Sequence, residues 1–163
     1  MFVSSADTQK HLSQLAQSFA GRHPKLLVLA SSYYWDIAQN LIDGVQEVAT
    51  AVGAQTTVQY VPGSYELSAG LAFAAHKGGF DAYVVLGCLI KGGTNHYELI
   101  CTAVTDSIMQ QSVAQKLAVG FGLLTCYSVE EAEERAEKTR YNYGGGAARA
   151  ALHMLALRDG FLA

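Results

Sequence analysis

Charge is scarce in this chain. Asp, Glu, Lys and Arg make up 15% of its 163 residues and the formal net charge is -3, so it has no basic field of the kind that a phosphate-tracking nucleic-acid binder needs. Nucleic acid is therefore excluded as a partner. Long apolar runs are missing too: none approaches the ~20 residues that cross a bilayer. The opening stretch MFVSSADTQKHLSQ also lacks the charged-then-apolar layout of a signal peptide. A cytosolic protein with no membrane partner is expected. Cysteine is sparse, and Cys88, Cys101 and Cys126 form no CxxC pair. They lie in apolar segments where a thiol packs as a small hydrophobe, so buried and inert cysteines are expected. There is no internal repeat, low-complexity tract or linker. With half of the residues apolar, the chain is long enough for one well-filled core, and a single domain over residues 1–163 is expected.

What is present is an alternation. Four runs rich in Val, Leu and Ile read as strands: KLLVLAS (25–31), TTVQYV (56–61), AYVVLGCLI (82–90) and VGFGLLT (119–125). Between them stand helical patterns. Ile37, Leu41, Val45, Val48 and Val52 recur every three or four residues, and Ile100, Val104 and Ile108 form a second stripe. SYELSAGLAFAAHKGG reads as a helix opening at Ser64, and SVEEAEERAEK opens with Ser128 and Glu131 at capping-box spacing. A last alanine-rich helix is predicted from about Gly146 to Leu157, ending at RDG and preceded by a turn at YNYGGG. Before Lys25, residues Leu12, Leu15 and Phe19 suggest a short helix packed on the body or on a neighbour. Strands alternating with helices imply right-handed crossovers. The fold class is therefore α/β, a three-layer α/β/α sandwich around a four-stranded parallel sheet.

Ligands bind such sheets beyond the carboxyl ends of the strands. The unusual residues of this chain collect there, in SYYWD, PGSYE, KGGTNH and CYS. In GCLIKGGTNHYELI, Gly92 and Gly93 permit a turn with exposed amides at a helix N-terminus, with Thr94 or Asn95 as cap and Glu98 three residues on. Bare N–H groups and the positive helix end make an anion site, although a plain capped turn explains the same residues. The order resembles a Walker A loop whose lysine has become Gly93, which favours a single phosphate over a nucleoside triphosphate. His96 lies in the first helical turn, where the dipole disfavours an imidazolium, and a neutral imidazole beside an anion can exchange protons. The alternative is a structural role beside the cap. His11, His23, His76 and His153 sit in surface-like contexts. No second His, Cys or acid stands at ligand spacing from His96, so no metal is expected. Tyr33, Tyr34 and Trp35 either cover the core or offer a face to a planar ligand. Ser64, Tyr65 and Glu66 either cap a helix or hydrogen-bond a polyhydroxylated ligand, and Arg135 reads by default as an i,i+4 partner of Glu131.

Taken together, VPGSYEL, GCLIKGGTNHYELI and FGLLTCYSVEEAEERA, in this order and at these separations, resemble the 6,7-dimethyl-8-ribityllumazine synthases of riboflavin biosynthesis, from Lys25 to about Leu157. The resemblance implies a flavodoxin-like fold and a transferase. That enzyme condenses 5-amino-6-ribitylamino-2,4-pyrimidinedione with 3,4-dihydroxy-2-butanone 4-phosphate, losing phosphate and water, with no metal or organic cofactor. It further implies that Tyr33 stacks on the pyrimidine. Ser64, Tyr65 and Glu66, with Cys88, Leu89 and Ile90, would contact the ring and ribityl chain. Gly93, Thr94 and Arg135 would bind phosphate, and His96 would transfer protons. Phe121 would reach the site of an adjacent subunit in a homopentamer or a multiple of one.

The chain departs from that pattern at three places. Ser32 stands where arginine is common, Thr139 replaces a lysine although Lys138 and Arg140 flank it, and Ala103 replaces an acid. Rival readings are a same-fold riboflavin synthase and a non-catalytic lumazine or flavin carrier. A receiver-like signalling domain fails because SSYYWD lacks clustered acids.

Overall fold

In the computed structural model, which describes residues 5–162, four parallel strands form the central sheet in the order β2-β1-β3-β4. They are β1 (Lys25–Ser31), β2 (Gln55–Val61), β3 (Ala82–Ile90) and β4 (Val119–Cys126). The helices are α1 (Ser5–Ser18), α2 (Trp35–Val52), α3 (Leu67–Lys77), α4 (His96–Ala114), α5 (Val129–Ala136) and α6 (Tyr143–Leu162). Side chains on a strand alternate between faces, and both faces here are buried. Leu26, Val28 and Ala30 of β1, with Val84 and Leu86 of β3, join a core shared with α1, α2, α5 and α6. Leu27, Leu29, Tyr83 and Val85 point the other way, into a smaller core under α3 and α4. This is the expected three-layer α/β/α arrangement.

The apolar stripes emerge where the periodicity put them. Ile37, Leu41, Val45, Val48 and Val52 are all buried along α2, and Val104 and Ile108 are buried along α4. Gly53 stops α2 in the left-handed region, at φ 73°, with its amide on the Thr50 and Ala49 carbonyls. At α5, Ser128 Oγ accepts the Glu131 amide at 3.2 Å, while the Glu131 carboxylate reaches back to the Tyr127 amide at 2.8 Å. The helix suggested before Lys25 is α1. It packs on its own chain through Leu15 and Phe19, both 3% exposed.

Two boundaries differ from the sequence expectation. Helix α3 begins at Leu67 rather than Ser64, because Ser64–Glu66 form a turn closed by the Leu67 amide on the Ser64 carbonyl. Helix α6 starts at Tyr143, so the three glycines of YNYGGG lie inside its first turn, and it continues through Arg158, Asp159 and Gly160 to Leu162. Asn142, at φ 48°, caps it by accepting the Gly145 amide at 2.9 Å. The glycines let α6 approach α2 closely: a Cβ on Gly144 would lie 1.9 Å from the Leu41 carbonyl oxygen. Such contact with backbone cannot be relieved by a rotamer change.

Gly144→Ala is accordingly expected to destabilise the fold by about 1–3 kcal/mol despite alanine's better helix propensity, read as a lower urea midpoint. Gly92→Ala, whose added Cβ meets nothing within 4 Å, should leave the midpoint in place.

Candidate active site

Strand register creates the cavity. β1 and β2 end level, Ser31 opposite Val61, with the Ser32 amide bonded to the Val61 carbonyl at 2.9 Å. β3 runs on past its last β1 partner, Leu86, so that Cys88, Leu89 and Ile90 pair only with β4. Their free side faces the loops that follow β1 and β2. The result is an open cavity of about 450 Å³, walled by Tyr33 and Tyr34 after β1, the Pro62–Glu66 turn after β2, the overhanging end of β3, and the start of α4.

The turn after β2 is locked to the strand beside it. Ser64 is buried and its hydroxyl donates to the Cys88 carbonyl at 3.5 Å, at the long limit for a hydrogen bond. Gly87 makes room for this: a Cβ there would meet Leu123 Cδ1 at 2.8 Å and Ser64 Oγ at 3.0 Å. Tyr65 and Glu66 remain exposed. Burial, and next the neighbouring Cys126 thiol, push Cys88 up to about 12, which favours the protonated thiol at neutral pH. All three cysteines are free thiols, Cys88 and Cys126 buried and Cys101 half-buried.

The opposite wall is the Lys91–Asn95 turn. The Lys91 amide bonds the Cys126 carbonyl at 2.9 Å, and α4 begins at His96. Between them the amides of Gly92, Gly93 and Thr94 donate to no other described residue. Thr94 Oγ1 accepts the His96 amide at 3.4 Å. The expected Asn95–Glu98 cap does not form, since the Asn95 side chain makes no cap bond. The Glu98 carboxylate instead pairs with Lys91 Nζ, which holds Lys91 above and Glu98 below their ordinary ranges. That pair ties the two ends of the turn together.

Of the residues singled out from sequence, Tyr33, Ser64, Tyr65, Glu66, Cys88, Leu89, Ile90, Thr94 and His96 line this one cavity. Gly93 sits beside it, between Gly92 and Thr94, which do line it. Phe121 and Arg135 do not. Phe121 projects, 41% exposed, from the edge strand β4. Arg135 pairs with Glu131 at 2.7 Å, donates to the Glu131 carbonyl at 3.1 Å, and lies 5.9 Å from the Tyr141 ring.

Sequence reasoning missed Tyr97 and Ile100, which also line the cavity. Ile100 belongs to the α4 stripe, but the sheet has ended beneath the first turn of that helix, so the same face opens onto the ligand space. Tyr97, three residues earlier on that stripe, carried the signal. Burial raises its phenol, as it does that of Tyr34.

A doubly covered parallel sheet with its cavity beyond the strand carboxyl ends is the layout of the flavodoxin-like class of ligand-binding α/β proteins. The comparisons narrow that class. A sequence model of the family described as 6,7-dimethyl-8-ribityllumazine synthase matches residues 23–159. Proteins of that name from Methylorubrum extorquens (strain PA1) and Sphingopyxis alaskensis are each 41% identical to this chain. The first match covers 88% of this chain and 85% of that protein, the second 83% and 96%. A 6,7-dimethyl-8-ribityllumazine synthase 1 from Rhizobium meliloti (strain 1021) is 36% identical over 82% of this chain and 91% of its own length. The chain belongs to the 6,7-dimethyl-8-ribityllumazine synthase family.

The thiol at the cavity wall gives a pH test. Cys88 ionises near pH 9 in the unfolded chain and about 12 in the folded one. Its contribution to stability is therefore complete below about pH 9 and is lost as pH rises from there towards about 12. Iodoacetamide at pH 8 should leave Cys88 unmodified in the folded protein and alkylate it in denaturant, as read by peptide mass spectrometry.

Proposed function

We propose that this chain is a transferase that joins 5-amino-6-ribitylamino-2,4-pyrimidinedione to 3,4-dihydroxy-2-butanone 4-phosphate and releases 6,7-dimethyl-8-ribityllumazine. The observation that carries the residue assignments is the shared cavity. One wall presents an aromatic face and a polar turn, Tyr33 and Ser64–Glu66. The other presents unbonded amides at a helix start, Gly92–Thr94, with an imidazole beside them.

In this reading Tyr33 stacks on the pyrimidine, and the Ser64–Glu66 turn holds its polar edge and ribityl chain. The amides of Gly92, Gly93 and Thr94 bind the phosphate, helped by the positive end of α4. The amine of the pyrimidine attacks the ketone and water leaves as the imine forms. His96 takes the proton from nitrogen and returns it to the departing oxygen. A carbon-bound proton and the phosphate are then lost together, the carbon–oxygen bond to phosphate breaking while the turn stabilises the leaving dianion. After tautomerisation the ribitylamino nitrogen closes on the remaining carbonyl, and a second water departs. Holding both reactants in one cavity supplies proximity that dilute collision lacks.

The reading also takes the working unit to be a homo-oligomer, in which a second chain closes the open side of the cavity with its Phe121 and Arg135; the family resemblance makes it a pentamer or a multiple of one. Both residues lie outside the cavity of their own chain, and Phe121 stands on an unpaired sheet edge. The α3 and α4 face adds exposed apolar surface at Phe73, Met109 and Val113, between 61% and 74% exposed, which suits burial against a copy. The departures noted above bear on phosphate binding. Thr139 donates to the Glu137 carboxylate at 2.5 Å, Arg140 pairs with Glu134 at 3.0 Å and Arg135 itself pairs with Glu131, so it is the family resemblance that assigns Arg135 to phosphate, and it must exchange Glu131 for the ligand.

Incubation with both substrates should produce lumazine absorbance and inorganic phosphate in equal amounts; a protein that binds lumazine but produces neither is a carrier. His96→Ala is expected to lower kcat by ~10²-fold or more with assembly intact. Arg135→Ala should raise KM for the phosphorylated ketone. Site sharing is tested by reassembling His96→Ala and Arg135→Ala chains together. If one chain supplies His96 and its neighbour Arg135, some mixed sites hold both native residues and activity returns. If both come from one chain, every mixed site stays defective.

A further inference from the structure

Far from this cavity, α1 and α6 bring two imidazoles together. His11 Nε2 and His153 Nδ1 stand 3.4 Å apart, with ring centroids 5.4 Å apart and planes at 68°. They flank a cleft of about 180 Å³ whose wall includes Leu15 and Gln14 of α1 and Ala156 and Leu157 of α6. We propose that His11 and His153 form a bidentate site for a divalent transition-metal ion of the zinc, nickel or copper type, which clips α1 to α6.

The separation is the first argument. At 3.4 Å the two ring nitrogens can share one long N–H···N bond when both rings are neutral, and a metal ion would replace that proton. The distance matches the edge of a tetrahedral site, since two metal–nitrogen bonds of about 2.0–2.1 Å at the tetrahedral angle put their nitrogens about 3.3–3.4 Å apart. Ligand type is the second argument. Imidazole suits zinc, nickel and copper, whereas calcium and magnesium require oxygens, so the class of ion follows from the donors. Preorganisation is the third. Leu15, one turn beyond His11 on the same face of α1, is buried against the body, and so is Leu152 beside His153. Both helices are therefore held near the chelating geometry before an ion arrives.

Among the described residues no third His, Cys, Asp or Glu joins the pair. The remaining coordination positions are open to water and to the amide oxygen of Gln14, which makes an exchangeable clip rather than a closed structural site. Its consequence is local. α1 is held on the body through Leu12, Leu15, Ala16 and Phe19, and the metal adds a crosslink at the first of these turns.

The test uses the full-length protein with any purification tag removed. Titration with CoCl2 should show one bound ion per chain by its visible d–d bands, and ZnCl2 should displace it. Affinity should fall by more than the ~10–100-fold that losing an outer-shell partner costs when either His11→Gln or His153→Gln is made. Far-UV circular dichroism confirms that the variants remain folded. His76→Gln, on α3, should change nothing. The helix clip is read separately by trypsin, because Lys10 lies in α1 next to His11. Zinc should slow cleavage after Lys10 several-fold in the native chain and have no effect in His153→Gln. Equal affinity in native and His11→Gln or His153→Gln chains, or loss of binding on His76→Gln instead, would overturn the assignment. So would a cleavage rate at Lys10 indifferent to zinc.

Discussion

The cavity exists because β3 is longer than its neighbour. β1 stops at Ser31 level with the end of β2, and β3 continues to Ile90, so its last residues have a partner on one side only. A strand edge with unpaired groups is unstable unless something covers it. Here the Ser64–Glu66 turn does so, with Ser64 on the Cys88 carbonyl and Gly87 as the gap that admits it. Every wall of the cavity is referred to that overhang. The β1 loop lies across it, α4 starts at its tip, and the Lys91 amide fixes the tip to Cys126 of β4.

The two layers of helices do different work. On the α2 and α6 side the core is large, and Gly144 allows the helices to touch backbone to backbone, so that layer is rigid by packing. On the other side α3 and α4 cover a smaller core and keep Phe73, Met109 and Val113 outward. The cavity is walled by the Pro62–Glu66 turn that leads into α3 and by His96, Tyr97 and Ile100 at the head of α4. A chain with 15% charged residues has little with which to keep such a face solvated, and the proposed association with a copy would cover that face.

Much of this was legible in the sequence, for a physical reason. Short continuous apolar runs and helical apolar stripes report burial directly, so all four strands and the α2 and α4 stripes could be read, along with the Ser128 cap, which depends only on neighbours three residues apart. The boundaries that escaped depend on contacts distant in sequence. Glycines at 144–146 look like a turn until Leu41 is known to press against the first of them. Asn95 and Glu98 have cap spacing, but Lys91, placed by the end of β3, competes for the carboxylate. Likewise Ile100 has the periodicity of a core residue and becomes a cavity residue only because the sheet ends beneath it. Nine of the residues proposed from sequence for the site came together in one cavity, since three short motifs sit at the ends of three adjacent strands. Phe121 and Arg135 are a different case. Their assignment comes from the family resemblance, and the proposed reading brings both in from a second chain, which a single chain's pattern does not encode.

The division of labour between main chain and side chains follows from the same geometry. A lysine in the anion turn, as in a triphosphate-binding loop, would leave a strong cation in place after the phosphate had been released. On the proposed reading, Gly93 and the bare amides beside it hold a monophosphate ester through dipoles that are already oriented, with Arg135 of a second chain as the assigned cation. Lys91, at the start of this turn, is held by Glu98. On that reading anion binding is separated from proton transfer: the turn stabilises the anion without exchanging a proton, and His96 beside it is assigned the proton transfers. A site built this way would tolerate uncharged residues such as Ser32 and Thr139 around it better than a change in backbone path.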